Sequence, residues 1–63
     1  MTKRETLEKE IDALDRMIRS NKASLRLKTL SASDRTLLEM QIKTRGRAVT
    51  ALRQQLEDLS GTA

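Results

Sequence analysis

Ser31-Ala32-Ser33-Asp34, near the middle of this 63-residue chain, separates two long segments that share one apolar rhythm. On each side, apolar side chains recur at alternating intervals of three and four residues, as in the heptads of a coiled coil. Serine and aspartate favour the start of a helix because their side chains accept hydrogen bonds from its first backbone N–H groups. The stretch therefore predicts that one helix ends before it and that a second helix begins within it.

The recurring positions form a stripe along each helix, which we call the seam. In the first segment, the seam consists of Leu7, Ile11, Leu14, Ile18, Asn21 and Leu25. In the second segment, it consists of Leu38, Ile42, Arg45, Val49, Leu52, Leu56 and Leu59. A short connection forces neighbouring helices to run antiparallel. The two seams are thus expected to pack together, with Leu25 beside Leu38 and Leu7 beside Leu56.

These patterns predict an all-α protein, an antiparallel two-helix hairpin of coiled-coil type. We place a single domain over residues 1–63, with the first helix at about 3–29, the turn at about 30–33 and the second helix at about 34–60. Thr2 and Glu5 have the spacing of a capping box at the start of the first helix. Ser31 and Ser33 compete for the N-cap of the second helix.

A single unbroken helical rod is the alternative to the hairpin. If the first heptad continued across the break, Lys28, Ala32 and Arg35 would occupy the seam. The apolar stripe therefore fails at the point where the capping residues occur, and this coincidence favours the hairpin.

The composition argues against enzymatic chemistry. The chain contains no cysteine, no histidine and no aromatic residue, so thiolate metal sites, disulfides and the usual general base are excluded. No glycine-rich phosphate loop or nucleophile motif occurs. We expect a non-enzymatic protein without catalytic residues, cofactor or metal. Because a domain of this size normally needs a further source of stability, we also predict a homodimer, formed as a four-helix bundle.

The hydropathy of the chain predicts no contact with membranes. No run of residues approaches the roughly 20 apolar positions that a membrane span requires. The N-terminal residues lead directly into an acidic stretch, without the apolar core of a secretory signal. We therefore expect a cytoplasmic protein.

Two polar residues interrupt the seam. Asn21 is either a hydrogen-bonded polar residue near water or a selector of register and oligomeric state, a known use of seam asparagine. Arg45 keeps its charge, so its guanidinium must reach water or an acidic partner. Asp15 across the hairpin and Glu39 of a second copy are the nearest acidic candidates.

A smaller side surface lies beside the middle of the seam. Met17, Ala48 and Ala51 would let a second hairpin approach, and Met17 is therefore grouped with the seam as a dimer or core residue. Gly46 costs about 1 kcal/mol relative to alanine in a helix interior. It either admits a neighbouring helix, with Met17 filling the gap, or is an ordinary surface position.

Charge is unevenly distributed along the hairpin. Residues 16–47 contain nine basic and two acidic residues, a net charge of +7. Residues 1–15 contain three basic and five acidic residues (−2), and residues 48–63 contain one basic and two acidic residues (−1). The turn half is therefore basic and the open half mildly acidic. Two hairpins packed antiparallel would place unlike halves together, which favours that arrangement by a salt-screened term.

A second apolar group lies off the seam, on both sides of the break. It consists of Leu27, Leu30, Leu37 and Met40, and basic residues surround it: Arg26, Lys28, Arg35 and Lys43. We call these eight residues the turn surface. Four clustered apolar side chains need burial. They form either a plug or dimer core under the turn, or a docking site for another protein.

The turn surface suggests a function in binding. We predict an interaction protein that regulates or inhibits a larger protein with an acidic or apolar groove. Electrostatic binding to RNA or DNA is the alternative, because a basic half can contact phosphates. That alternative is weakened by the lack of aromatic rings for base stacking and of a helix-turn-helix pattern. A structural subunit of an assembly is the third possibility.

The length of the chain, its Met1-Thr2-Lys3 start and its hairpin pattern resemble the plasmid copy-number regulators of the Rop type. The resemblance implies a dimer of hairpins forming a four-helix bundle. The RNA-binding face of those regulators carries polar residues and an aromatic ring on the first helix. Lys3 is the only early match here, and the corresponding stretch holds seam residues such as Leu14 and Ile18. The resemblance therefore covers architecture and does not extend to RNA binding.

Overall fold

The computed structural model describes residues 2–61 and contains two α-helices joined by a short turn. Helix α1 spans Lys3–Leu25 and helix α2 spans Ala32–Gly61. The helices pack against each other, so the predicted all-helical hairpin is confirmed. Met1, Thr62 and Ala63, which the predicted domain includes, lie outside the described residues. Neither helix in this part of the chain combines the length and apolar character that a bilayer span requires.

Thr2 forms the N-cap of α1, as its spacing from Glu5 predicts. The Thr2 hydroxyl accepts a hydrogen bond from the backbone N–H of Glu5 at 3.2 Å. The same hydroxyl donates to the Glu5 carboxylate at 3.1 Å. One of the four N–H groups that a helix start leaves without an intrahelical partner is thereby satisfied.

Helix α1 ends at Leu25, four residues before the predicted end at about Thr29. The backbone N–H of Arg26 bonds to the carbonyl of Ala23 at 3.2 Å, which tightens the last turn. From α2, Arg35 Nη1 donates to the carbonyl of Leu25 at 3.3 Å. A cation at the carboxyl end of a helix also suits its dipole. Arg35 of α2 thus binds one of the carbonyl groups that the end of α1 leaves without an intrahelical partner.

Helix α2 begins at Ala32, two residues before its predicted start. The Ser31 side-chain oxygen accepts a hydrogen bond from the backbone N–H of Asp34 at 3.1 Å. The Ser31 carbonyl accepts the backbone N–H of Arg35 at 3.0 Å, the first hydrogen bond of the helix. Ser31 is therefore the N-cap, and Ser33 lies inside the first turn.

This choice between two serines gives a matched pair of variants. We expect Ser31→Ala to lower the free energy of unfolding by about 1 kcal/mol, because it leaves the Asp34 N–H without its partner. Ser33→Ala should change that free energy by only a few tenths of a kcal/mol, because alanine is favourable inside a helix. Urea unfolding followed by circular dichroism measures both. Equal losses for the two variants would contradict the assignment of the cap.

Burial along the seam is shallow. Among the described residues, the buried apolar side chains are Leu7, Ile11 and Val49, and Asn21 is buried with them. The other seam residues are half-buried, except for Leu59, which is exposed: Leu14, Ile18, Leu25, Leu38, Ile42, Arg45, Leu52 and Leu56. Two helices alone cannot surround a seam, because each seam residue faces only one neighbouring helix.

The hairpin exposes more surface than a compact chain of its size. Its accessible surface is 5052 Å², whereas a compact monomer of 7.2 kDa exposes about 4,100 Å². Its radius of gyration is 14.8 Å, against about 11 Å for a compact domain of this length. The excess follows from the rod-like shape, which measures 50 × 17 × 13 Å.

Candidate interaction surfaces

The hairpin carries a partly buried polar layer near the middle of its basic half. Asn21, which is 8% exposed, donates from Nδ2 to Oε1 of Gln41 at 3.0 Å. Its Oδ1 accepts a hydrogen bond from Arg45 Nη1 at 3.1 Å. Within residues 2–61, every buried side-chain nitrogen or oxygen atom has a hydrogen-bond partner. Asn21, Gln41 and Arg45 therefore form one satisfied network, which we call the polar layer.

The partner of Arg45 differs from the acidic residue that the sequence suggested across the hairpin. Asp15 pairs instead with Arg53, whose Nη2 lies 3.5 Å from Asp15 Oδ2. With Ile11 and Ile42 at heptad position a, both Asp15 and Arg53 occupy position e, and antiparallel packing places the e positions of the two helices on the same side. Arg45 lies in the seam itself, where it meets Asn21. The contact with Glu39 of a second copy stays a prediction.

Sequence reasoning missed Gln41. It lies at heptad position g, directly before the seam residue Ile42. Seam residues are recognised by their apolar character, and a glutamine beside the seam gives no such signal. The useful signal was Asn21 itself, since a buried amide has several hydrogen-bonding atoms to satisfy and therefore requires polar neighbours on the facing helix.

The turn surface is largely open to solvent. Leu27 is 54% exposed, Leu37 is 53% exposed and Met40 is 60% exposed. Leu30 is half-buried under the turn. The structure thus places one of the four apolar side chains partly inside the hairpin and leaves three large ones on its surface.

The basic residues of the turn surface have two different roles in the fold. Arg26, Lys28 and Lys43 are exposed. Arg35 is also exposed, but its guanidinium is hydrogen-bonded to the carbonyl of Leu25, where it holds the end of α1. The other three cationic side chains lie near the exposed apolar residues, and the structure shows no comparable role in the fold for them.

Met40 forms a ridge between two shallow depressions of α2. One depression is lined by Met40 together with Thr36, Glu39, Ile42 and Lys43. The other is lined by Met40 together with Leu37, Gln41, Thr44 and Arg45. Both are open to solvent, so they can accept side chains from a protein surface more readily than they could enclose a small molecule.

Gly46 and Met17 lie on opposite sides of the seam. A methyl group added at Gly46 would meet no atom within 4 Å, so Met17 does not fill the space beside it. Gly46 occupies position e, on the side of the Asp15–Arg53 pair, whereas Met17 occupies position g. Met17 is 45% exposed. Within one hairpin, the proposed contact between the two residues is wrong.

The described residues show no metal-binding arrangement, since no three acidic side chains among residues 2–61 are grouped to hold an ion. Comparison of the chain with protein-family models, curated proteins and solved structures finds no match. Only the geometry and chemistry of the surfaces described above bear on function.

Proposed function

We propose that this protein is a small, non-enzymatic, cytoplasmic interaction protein that regulates or inhibits a larger protein. In this proposal two hairpins pair as a homodimer in a four-helix bundle, and each hairpin presents its turn surface to a partner. The observation that carries the proposal is the exposure of Leu27, Leu37 and Met40 by more than half at one end of the hairpin.

Burial of these side chains supplies the attraction. Moving a leucine or methionine side chain from water into an apolar site contributes about 1.5–3 kcal/mol. Leu37 and Met40 lie three residues apart on α2, so they face the same direction and can enter one groove. Methionine adapts its shape to an irregular groove because its side chain is unbranched and flexible.

The charges around the apolar residues define the partner further. Arg26, Lys28 and Lys43 are exposed beside the apolar side chains, in the part of the chain that carries a net charge of +7. Complementary charge accelerates association and excludes partners of like charge. The partner that fits is a protein whose apolar groove has an acidic rim. A chain that occupies such a groove regulates its partner by blocking access to it.

Capture experiments with matched variants test this function. The bait is the full chain, the test variant is Leu37→Asp with Met40→Asp, and the control is Ala23→Asp with Thr50→Asp. The control adds the same two charges at exposed helical positions outside the turn surface. Circular dichroism first checks that all three proteins are helical. Proteins that the native chain and the control retain, and that the test variant loses, are then purified.

Binding of each purified protein is measured by calorimetry. We expect the test variant to raise Kd at least about 100-fold, which corresponds to the loss of two buried apolar side chains. An unchanged Kd would overturn the proposal. So would recovery of RNA or DNA instead of protein, with an affinity that falls steeply as salt rises, since that result identifies nucleic acid as the occupant of the basic half.

A further inference from the structure

The two broad sides of the hairpin differ in charge. The Asp15–Arg53 pair marks one side, where heptad positions e and e meet. On the opposite side, positions g and c of both helices meet, and the middle of that side carries no charged residue, although 35% of the chain is charged. We call this middle region the neutral face. It consists of Ala13, Met17 and Ser20 on α1 and Thr44, Ala48 and Ala51 on α2.

We infer that the neutral face is the surface on which a second copy of this chain docks, with the two hairpins antiparallel. This inference rests on the homodimer of the proposed function and adds its interface and orientation. All six residues are exposed except Ala48, which is half-buried. Removing them from water leaves no charge unpaired, and burial of an unpaired charge is the main obstacle to packing a polar surface. Their small size lets facing helices come close, because interhelical distance depends on the side chains at the contact.

The broad side that contains the neutral face is large enough for a stable dimer. The hairpin measures 50 Å by 17 Å across its broad side, an area of about 850 Å². Specific interfaces bury about 800 Å² of each partner. The chain also exposes about 900 Å² more than a compact monomer of its mass, and only three apolar side chains of the described residues are buried. A symmetrical contact centred on the neutral face would bury part of this excess.

The charges of the chain favour the antiparallel orientation. An antiparallel pair sets the turn half of each copy, with a net charge of +7, beside the mildly acidic open half of the other. A parallel pair sets +7 beside +7, which costs free energy at moderate salt. In the antiparallel dimer the two-fold axis crosses the middle of the hairpins, so α2 faces α2, and Ala48, the residue of the neutral face nearest that middle, lies near its own counterpart.

A matched pair of alanine substitutions tests the interface. Ala51→Glu places a charge on the neutral face, and Ala23→Glu makes the same change at an exposed position on the outer side of α1. Light scattering at tens of micromolar should give a mass near twice 7.2 kDa for the native chain and for Ala23→Glu, and near 7.2 kDa for Ala51→Glu. A dimer of Ala51→Glu, or a monomer of the native chain, would overturn the inference.

Disulfide trapping tests the orientation without introducing charge. The native chain has no cysteine, so each single-cysteine variant tests whether the substituted residue lies close to the same residue in the second copy. A disulfide requires Cα atoms within about 7 Å. Ala48→Cys should form a covalent dimer within minutes of mild oxidation, whereas Leu37→Cys should form no covalent dimer, as judged by non-reducing electrophoresis. A second test mixes the Leu37→Cys and Leu27→Cys variants. A disulfide between these two chains would show that the hairpins are parallel and would overturn the antiparallel arrangement.

These outcomes separate the interface from the proposed binding function. If Ala51→Glu is monomeric and still binds the purified partner, both the interface and the turn surface are supported. If Ala51→Glu stays dimeric while Leu37→Asp with Met40→Asp loses the partner, the inferred interface fails and the proposed function stands. If the native chain dimerises through Ala51 but binds no protein, the interface stands and the proposed function fails.

Discussion

Leu7→Ala should lower the free energy of unfolding by about 2–4 kcal/mol. Leu7 is 5% exposed and is one of three buried apolar side chains among the described residues. Truncating a buried leucine removes its transfer free energy and leaves a cavity that the surroundings fill only in part. A domain of this length has a total stability of about 3–9 kcal/mol, so the variant loses a large part of it.

Met40→Ala provides the matched control for Leu7→Ala. Methionine and leucine have similar side-chain volumes, but Met40 is 60% exposed. Its truncation should change the free energy of unfolding by less than about 0.5 kcal/mol, as is usual at the surface. In thermal melts followed by circular dichroism, each kcal/mol corresponds to about 4–8 °C in Tm. Similar shifts for both variants would contradict the packing of Leu7 inside the hairpin.

Asn21→Leu should also destabilise the hairpin, by about 1–3 kcal/mol, although it makes the seam more apolar. The amide of Asn21 binds Gln41 at 3.0 Å and Arg45 at 3.1 Å. Both partners are half-buried, and removing the amide leaves their polar atoms without that hydrogen bond. Because these groups are partly shielded from water, leaving them without a protein partner costs more than an ordinary hydrogen bond contributes.

Replacing the whole polar layer should reverse this loss. With Asn21→Leu, Gln41→Leu and Arg45→Leu combined, no polar atom of the layer remains unpaired, and well-packed apolar residues are often at least as stable as a buried polar group. Urea unfolding should give a midpoint at or above that of the native chain. Light scattering should show more than one oligomer, because a polar seam residue selects register and oligomeric state. A single variant as stable as the native chain would contradict the role of the layer.

The two helices and their antiparallel order could be predicted from local signals. Apolar spacing of three and four residues defines a helical stripe regardless of what lies opposite, and the loss of that stripe at Lys28 marks the break. The capping role of Thr2 is equally local, since its partner Glu5 is three residues away. Within the candidate site, the exposed cluster of Leu37 and Met40 was also predictable, because both positions lie off the seam.

Other features depended on how the two helices meet. The pairing of Asp15 with Arg53 and the hydrogen bond from Arg45 to Asn21 depend on the axial shift of one helix along the other. Residue spacing within a helix carries no information about that shift.

The amino-acid sequence by itself determined that this chain forms two amphipathic helices, that they fold back at Ser31 and that cysteine and histidine chemistry is excluded. Only the tertiary structure showed that Arg35 of α2 binds the carbonyl of Leu25 at the end of α1. It also decided the members of the polar layer and showed that the middle of one side of the hairpin is neutral while the other side carries an ion pair. The physical reason is that helix formation depends on neighbours within four residues, whereas these contacts join residues ten to 38 positions apart.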